Sequence, residues 1–220
     1  MNKIDYRLNA LVDAGLGDGA DLAAMAATAS RNGATLIQYR DKTASTRAMI
    51  GRAVAIREVL SGTGIPFVVN DRVDVALAAG ADGVHLGRDD MDAATARNLL
   101  GPGAIIGLTV KNEADAEVAI GAPVDYACIG GVFETLSKIN PDPPVGLNGF
   151  TELRKRIRSA RPELPVGAIA GIGLERVARI IAAGADGIAV ISAVFRTTDI
   201  AGATRDLRQA VDDALELRPS

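Results

Sequence analysis

The chain reads as an α/β protein, a single (β/α)8 TIM barrel spanning residues 1–220. Three observations predict this. A short apolar run followed by an Ala-rich amphipathic stretch recurs eight times. The runs are Val- and Ile-rich and mostly apolar on both faces, as parallel strands covered on both sides must be. The hexapeptide AAGADG occurs at residues 78–83 and again at 182–187, 104 residues later. Eight units in 220 residues average about 27 residues each, so that separation is close to four units and sets the repeats before strands four and eight, opposite each other in an eight-strand barrel.

In chain order, the first strand is expected at Arg7–Val12, followed by a helix over Asp21–Arg31. The second strand, Thr35–Tyr39, leads into a helix over Ser45–Ser61. The third, Pro66–Asn70, precedes a short helical stretch, Asp71–Gly80, and the fourth is Gly83–Leu86. The fifth, Ile105–Val110, is followed by Glu113–Gly121, and the sixth is Tyr126–Gly130. The seventh, Val166–Ala170, feeds a helix over Leu174–Ala183; the eighth is Gly187–Ile191, and Asp199–Leu217 closes the chain. Apolar residues at three- and four-residue spacing carry the longer helices. Gly-Ala pairs at 33–34, 80–81, 121–122 and 184–185 each stand just before a strand, where glycine suits a left-handed helix end. Gly131–Gly146, containing Pro141, Pro143 and Pro144, is longer than an ordinary connection and reads as a functional loop.

Composition excludes several functions. Net charge is −3 and aromatic residues are 3% with no Trp, which argues against a nucleic-acid surface or base-stacking platform. A single cysteine, Cys128, and a single histidine, His85, rule out an internal disulfide, a Cys-based zinc site and multi-His metal cages. No apolar run reaches the ~20 residues of a membrane span, and Met1–Arg7 is polar and charged, so no signal peptide or membrane association is expected and the location is expected to be cytoplasmic. Self-association into a homo-oligomer is left open.

In a barrel of this kind the chemistry sits at the C-terminal strand ends, with a phosphate site after strands seven and eight. Alternation along the second strand end puts Gln38, Arg40 and Lys42 on one side, a cationic set suited to phosphate or pyrophosphate. The third strand ends in Asn70-Asp71 and the fourth leads to Asp90. Each aspartate alone suits a helix cap; together, on neighbouring strand ends, they suit Mg²⁺, which takes one or two carboxylates plus phosphate oxygens and water. Thr109 ends the fifth strand, as a ligand or merely its last residues. Thr135, Ser137 and Lys138 follow the sixth as an anion clasp. Gly171 and the pair Ile191-Ser192 end the last two strands, where glycine lets phosphate approach backbone N–H groups. His85 and Cys128 read as packed barrel residues.

In order and spacing, Gln38-x-Arg40-x-Lys42, Asn70-Asp71-x-x-Asp74, Gly83-Val84-His85-Leu86-Gly87-x-x-Asp90, Gly107-Leu108-Thr109, Gly131-Val132-Phe133-x-Thr135-x-Ser137-Lys138, Gly171 and Ile191-Ser192 resemble the thiamine phosphate synthase (thiamine-phosphate pyrophosphorylase) family over nearly the whole chain. The resemblance implies a Mg²⁺-dependent transferase of thiamine biosynthesis. It would join 4-amino-5-hydroxymethyl-2-methylpyrimidine pyrophosphate to 4-methyl-5-(2-phosphoethyl)thiazole, or its carboxylated form, releasing pyrophosphate. By that likeness Gln38, Arg40, Lys42, Asn70, Thr109 and Lys138 hold the pyrimidine substrate, with Arg40, Lys42 and Lys138 as catalytic cations. Asp71 and Asp90 hold Mg²⁺, and Thr135, Ser137, Gly171, Ile191 and Ser192 hold the thiazole phosphate. The chain departs from the family at Arg88, where Gln is usual, at Ser137, where Thr is usual, and at Ala170, where Gly is usual.

Three other readings compete. A thiazole tautomerase of the same fold typically lacks the Gln-x-Arg-x-Lys run and the paired aspartates, and carries histidine where this chain has Lys111. A sugar-phosphate isomerase or aldolase would use Lys138 as a Schiff base and leaves Asp71 and Asp90 unexplained. A non-catalytic barrel would bind thiazole phosphate without turnover.

Overall fold

The computed structural model describes residues 4–17, 19–135 and 143–218. Eight parallel strands close in sequential order, the last pairing with the first. They are β1 (Leu8–Asp13), β2 (Leu36–Arg40), β3 (Phe67–Asn70), β4 (Gly83–Leu86), β5 (Ile105–Val110), β6 (Tyr126–Ile129), β7 (Val166–Ile169) and β8 (Ile188–Val190). Each of the eight expected strands is present. The first two run one residue further than expected, into Asp13 and Arg40, and the last three stop one residue short.

The helices are α1 (Leu22–Arg31), α2 (Thr46–Leu60), α3 (Val73–Ala79), α4 (Ala93–Leu100), α5 (Glu113–Gly121), α6 (Gly146–Ala160), α7 (Val177–Ala182), α8 (Ser192–Phe195) and α9 (Ile200–Glu216). Polar side chains start most of them. Asp21, Ser45, Asp92, Asn112 and Asp199 each accept an N–H of the first turn, satisfying a donor the helix leaves open. Three features correct the sequence reading. The eightfold pattern implies α4 and α6 without setting their bounds, and the short α8 is an addition to it. The stretch expected to begin a helix at Leu174 opens as a 3₁₀ turn, Leu174–Arg176, before α7. Of the four Gly-Ala junctions, Gly33, Gly80 and Gly184 have positive φ, but Gly121 stays in α5 and Ala122 ends it in an extended conformation.

The repeated hexapeptide has a mechanical reason. Asp82 Oδ2 accepts the N–H of Phe67 at 2.8 Å, and Asp186 Oδ2 accepts the N–H of Val166 at 2.9 Å. Each aspartate thus ties down the first residue of the preceding strand, at β3 and at β7. The glycine that follows is forced by close approach. A Cβ on Gly83 would lie 1.8 Å from the Ile105 carbonyl oxygen, and one on Gly187 would lie 1.9 Å from that of Tyr6.

Two apolar regions result. Strands and helices enclose the larger one. The smaller fills the barrel interior with Tyr6, Leu11, Leu36, Val68, Tyr126, Cys128 and Ala189. This plug closes the barrel below, so inward side chains further along the strands open onto a cavity at the C-terminal ends.

Candidate active site

The cavity is lined by side chains from every strand or the loop that follows it. The sequence-predicted residues Gln38, Arg40, Asn70, Thr109, Thr135, Gly171, Ile191 and Ser192 all line it. They meet because each is an inward residue at or just past a strand end. His85 and Lys111 also line it. His85 is buried, as expected of a packed barrel residue, but it is part of the cavity wall. Its inward register on β4 is the signal that could have found it. Ser137 and Lys138 lie outside the described residues.

Lys42, Asp71 and Asp90 gather beside the cavity, past the ends of β2, β3 and β4. Lys42 Nζ donates to Asp71 Oδ2, and the Asp71 and Asp90 carboxyls are near enough to shift each other's ionisation. Burial by itself raises the Asp71 carboxyl, but Lys42 and the neighbouring Asp90 outweigh it and hold the group below its ordinary value. Burial and the neighbouring Asp71 push Asp90 the other way, against the Gly87 N–H that Asp90 accepts at 2.6 Å. Two neighbouring carboxyls, one favouring its proton, form a donor pair that a divalent cation would stabilise. The chemistry of this pair therefore fits magnesium.

Neither aspartate caps a helix. Asp71 has a positive φ of 64°, and Arg72 occupies the N-cap of α3 without a capping side-chain bond. Asp92, two residues beyond Asp90, caps α4. Asp71 is bent into the left-handed region, and its side chain meets Lys42 near Asp90 instead.

Arg40 reaches the cavity with a partner that sequence reading did not identify. Asp13, at the end of β1, is buried and pairs with the Arg40 guanidinium. The β1–β2 register sets the two residues opposite each other. Asp41 faces outward and anchors the segment. It accepts the N–H groups of Thr43 and Ala44 at 3.0 Å, the Tyr39 hydroxyl at 2.9 Å, and an Arg52 N–H. Burial raises this carboxyl, but those donors overcome it and lower it to about 2.

On the far side, Ala170 and Gly171 both have positive φ, 90° and 64°. Gly171 is packed so closely that a Cβ would lie 2.4 Å from the Glu134 carbonyl oxygen. Arg176 donates to the Gly171 carbonyl oxygen and stacks 4.5 Å over the Phe133 ring. The loops after β6 and β7 are thereby locked together, and glycine at 171 is a requirement of that contact. Strained backbone held by surrounding contacts is common where a ligand is gripped.

The family model described as thiamine monophosphate synthase matches residues 8–194. The chain belongs to the thiamine monophosphate synthase family. A thiamine-phosphate synthase from Agrobacterium fabrum is 67% identical over 218 residues, covering 99% of each chain. One from Chloroflexus aurantiacus is 43% identical, covering 94% of each. Among solved structures, a thiamine phosphate pyrophosphorylase from Pyrococcus furiosus superimposes with a TM-score of 0.83 at 35% identity, covering 97% of this chain and 98% of that one. A 3-hexulose-6-phosphate synthase, at 17% identity and a TM-score of 0.63, shares the barrel with the thiamine monophosphate synthase family and shows the fold alone. No helix among the described residues is long and apolar enough to cross a membrane.

Proposed function

We propose that this chain is a transferase that condenses 4-amino-5-hydroxymethyl-2-methylpyrimidine pyrophosphate with a thiazole phosphate, forming thiamine phosphate and pyrophosphate. The observation that carries the reading is the meeting of Lys42, Asp71 and Asp90 beside a cavity that also holds Gln38, Arg40, Asn70 and Thr109. The relatives named as thiamine-phosphate synthases support it along the chain's length.

The chemistry asks little of the protein as a nucleophile. The C–O bond between the pyrimidine methylene and pyrophosphate breaks, and the electron-rich aminopyrimidine spreads the positive charge left behind. The thiazole nitrogen then supplies the pair for the new C–N bond, and pyrophosphate leaves with the pair from the broken one. The residues must neutralise the leaving group, align the thiazole and exclude water. Arg40 and Lys42, with Lys138 beyond the described residues, supply the cations; Asn70 orients the pyrophosphate, and Gln38 and Thr109 hold the pyrimidine. Thr135, Ser137, Gly171, Ile191 and Ser192 hold the thiazole phosphate, where the strained turn at Gly171 exposes backbone to an anion.

Asp71 and Asp90 would hold Mg²⁺, which when bound neutralises developing charge on the pyrophosphate oxygens. The paired carboxyls and the Gln38-x-Arg40-x-Lys42 run favour the synthase over a tautomerase on the same barrel. Mixing the two substrates with the full chain, with and without Mg²⁺, tests the reading. Pyrophosphate release that requires both substrates and the metal is expected. Thiazole phosphate binding without release would mark a regulatory barrel instead.

A further inference from the structure

Beneath the cavity a row of inward residues is set by strand register. His85 on β4 pairs with Gly107 on β5, and Gly107 pairs with Tyr126 on β6. Gly107 is the gap in that row. A Cβ there would lie 2.0 Å from the Tyr126 ring and 2.3 Å from its hydroxyl. Without it, the Tyr126 ring crosses β5, and its hydroxyl comes within 3.0 Å of His85 Nδ1. The other ring nitrogen, Nε2, lies 2.8 Å from Thr109 Oγ1. Tyr126, His85 and Thr109 thus form one string, buried at Tyr126 and His85, whose Thr109 end lines the cavity.

The string has a direction. The Tyr126 hydroxyl is fully buried, and burial pushes its ionisation well above the usual phenol value, so it keeps its one proton. Among the described residues its one hydrogen-bond partner is His85 Nδ1, and a buried hydroxyl gives its hydrogen to the acceptor within reach. The Tyr126 hydrogen then goes to His85 Nδ1. The imidazole proton sits on Nε2 and goes to Thr109 Oγ1. The Thr109 hydroxyl hydrogen is left for the cavity.

We propose that Tyr126 and His85 are positioning residues that fix the hydrogen-bond polarity of Thr109, so that the cavity offers a donor to a ring nitrogen of the aminopyrimidine. A pyrimidine ring nitrogen is an acceptor, the complement of that donor. The identity of the ligand rests on the synthase reading; the string rests on geometry.

His85 is the sole histidine, so ¹⁵N-histidine NMR of the full chain reads its tautomer without assignment. The neutral Nε2–H form is expected in the native chain. Tyr126→Phe keeps the ring, which packs 4.7 Å from Tyr6, and deletes the O–H. It is expected to mix the tautomers and to raise KM for the pyrimidine pyrophosphate roughly tenfold, the scale of one hydrogen bond, with a smaller change in KM for the thiazole phosphate. Thr109→Val is expected to raise the same KM while keeping the native tautomer, and it serves if Tyr126→Phe fails to fold. A native spectrum with the proton on Nδ1, or on both nitrogens, overturns the proposal, as do equal KM changes for both substrates. Absence of turnover in the native chain would instead refute the synthase reading, and the spectrum would still decide the direction of the string.

Discussion

Asp13 and Arg40 stand opposite each other in register at the ends of β1 and β2, and their side chains form a largely buried ion pair. The carboxylate also accepts the Gly15 N–H at 2.8 Å, so its position is fixed from two sides. Arg40 lines the cavity with its guanidinium held before any anion arrives, and a group oriented in advance loses less freedom on binding.

Asp13→Asn keeps the shape and removes the charge. Loosening of Arg40 is expected to lower kcat/KM for the pyrimidine pyrophosphate by roughly 10- to 100-fold, the scale of a misplaced binding group. Steady-state kinetics with the thiazole phosphate saturating checks this, and a native-like rate would separate Asp13 from the function of Arg40.

Lys138→Ala is expected to slow turnover by roughly 100- to 1,000-fold, as loss of one charge-stabilising donor does elsewhere. Circular dichroism and the melting temperature should stay those of the parent. An unaltered kcat would remove Lys138 from the chemistry.

Removing divalent cations with a chelator is expected to stop pyrophosphate release, and added Mg²⁺ to restore it. Asp71→Asn and Asp90→Asn should each raise the Mg²⁺ concentration needed for half-maximal rate. Identical magnesium titrations in parent and variants would rule the pair out as ligands.

Asp41 carries a pH signature of stability. Its folded value of about 2 lies below the ordinary ~3.9 of an unfolded aspartate, so its stabilisation is complete above about pH 4 and is lost as pH falls toward 2. Asp41→Ala removes a buried acceptor of several hydrogen bonds and is expected to cost about 3 kcal/mol at neutral pH, or a melting point lower by roughly 6–12 °C. The difference between variant and parent should shrink in acid, and a gap independent of pH would contradict the assignment.

Arg88 departs from the family's usual Gln, and its guanidinium grips Asp115 bidentately, with both N–O distances 2.9 Å. It ties the loop after β4 to the start of α5, where Asp115 also accepts the Lys111 N–H. Arg88→Gln is therefore expected to lower stability by about 1 kcal/mol, read by chemical denaturation, while its effect on kcat stays small. A large loss of turnover would place Arg88 in the site.

The strands were legible because both faces are largely buried, so each writes a short, mostly apolar run. The helices α4 and α6 were harder. The first is short, and the second begins with Gly146, Leu147, Asn148 and Gly149, residues that punctuate turns as readily as they start helices. Strand ends slipped by a residue because a ladder stops where its neighbour stops, and the neighbour is remote in sequence.

By itself the sequence determined the barrel, its eightfold period and the inward residues at its mouth. Those properties follow from short-range alternation and from the spacing of units along one chain. Tertiary structure decided who pairs with whom: Asp13 with Arg40, Lys42 with Asp71, Arg88 with Asp115, and Tyr126 over Gly107 to His85. Such partnerships depend on the stagger at which eight strands close on themselves, and no local pattern in the chain encodes that stagger.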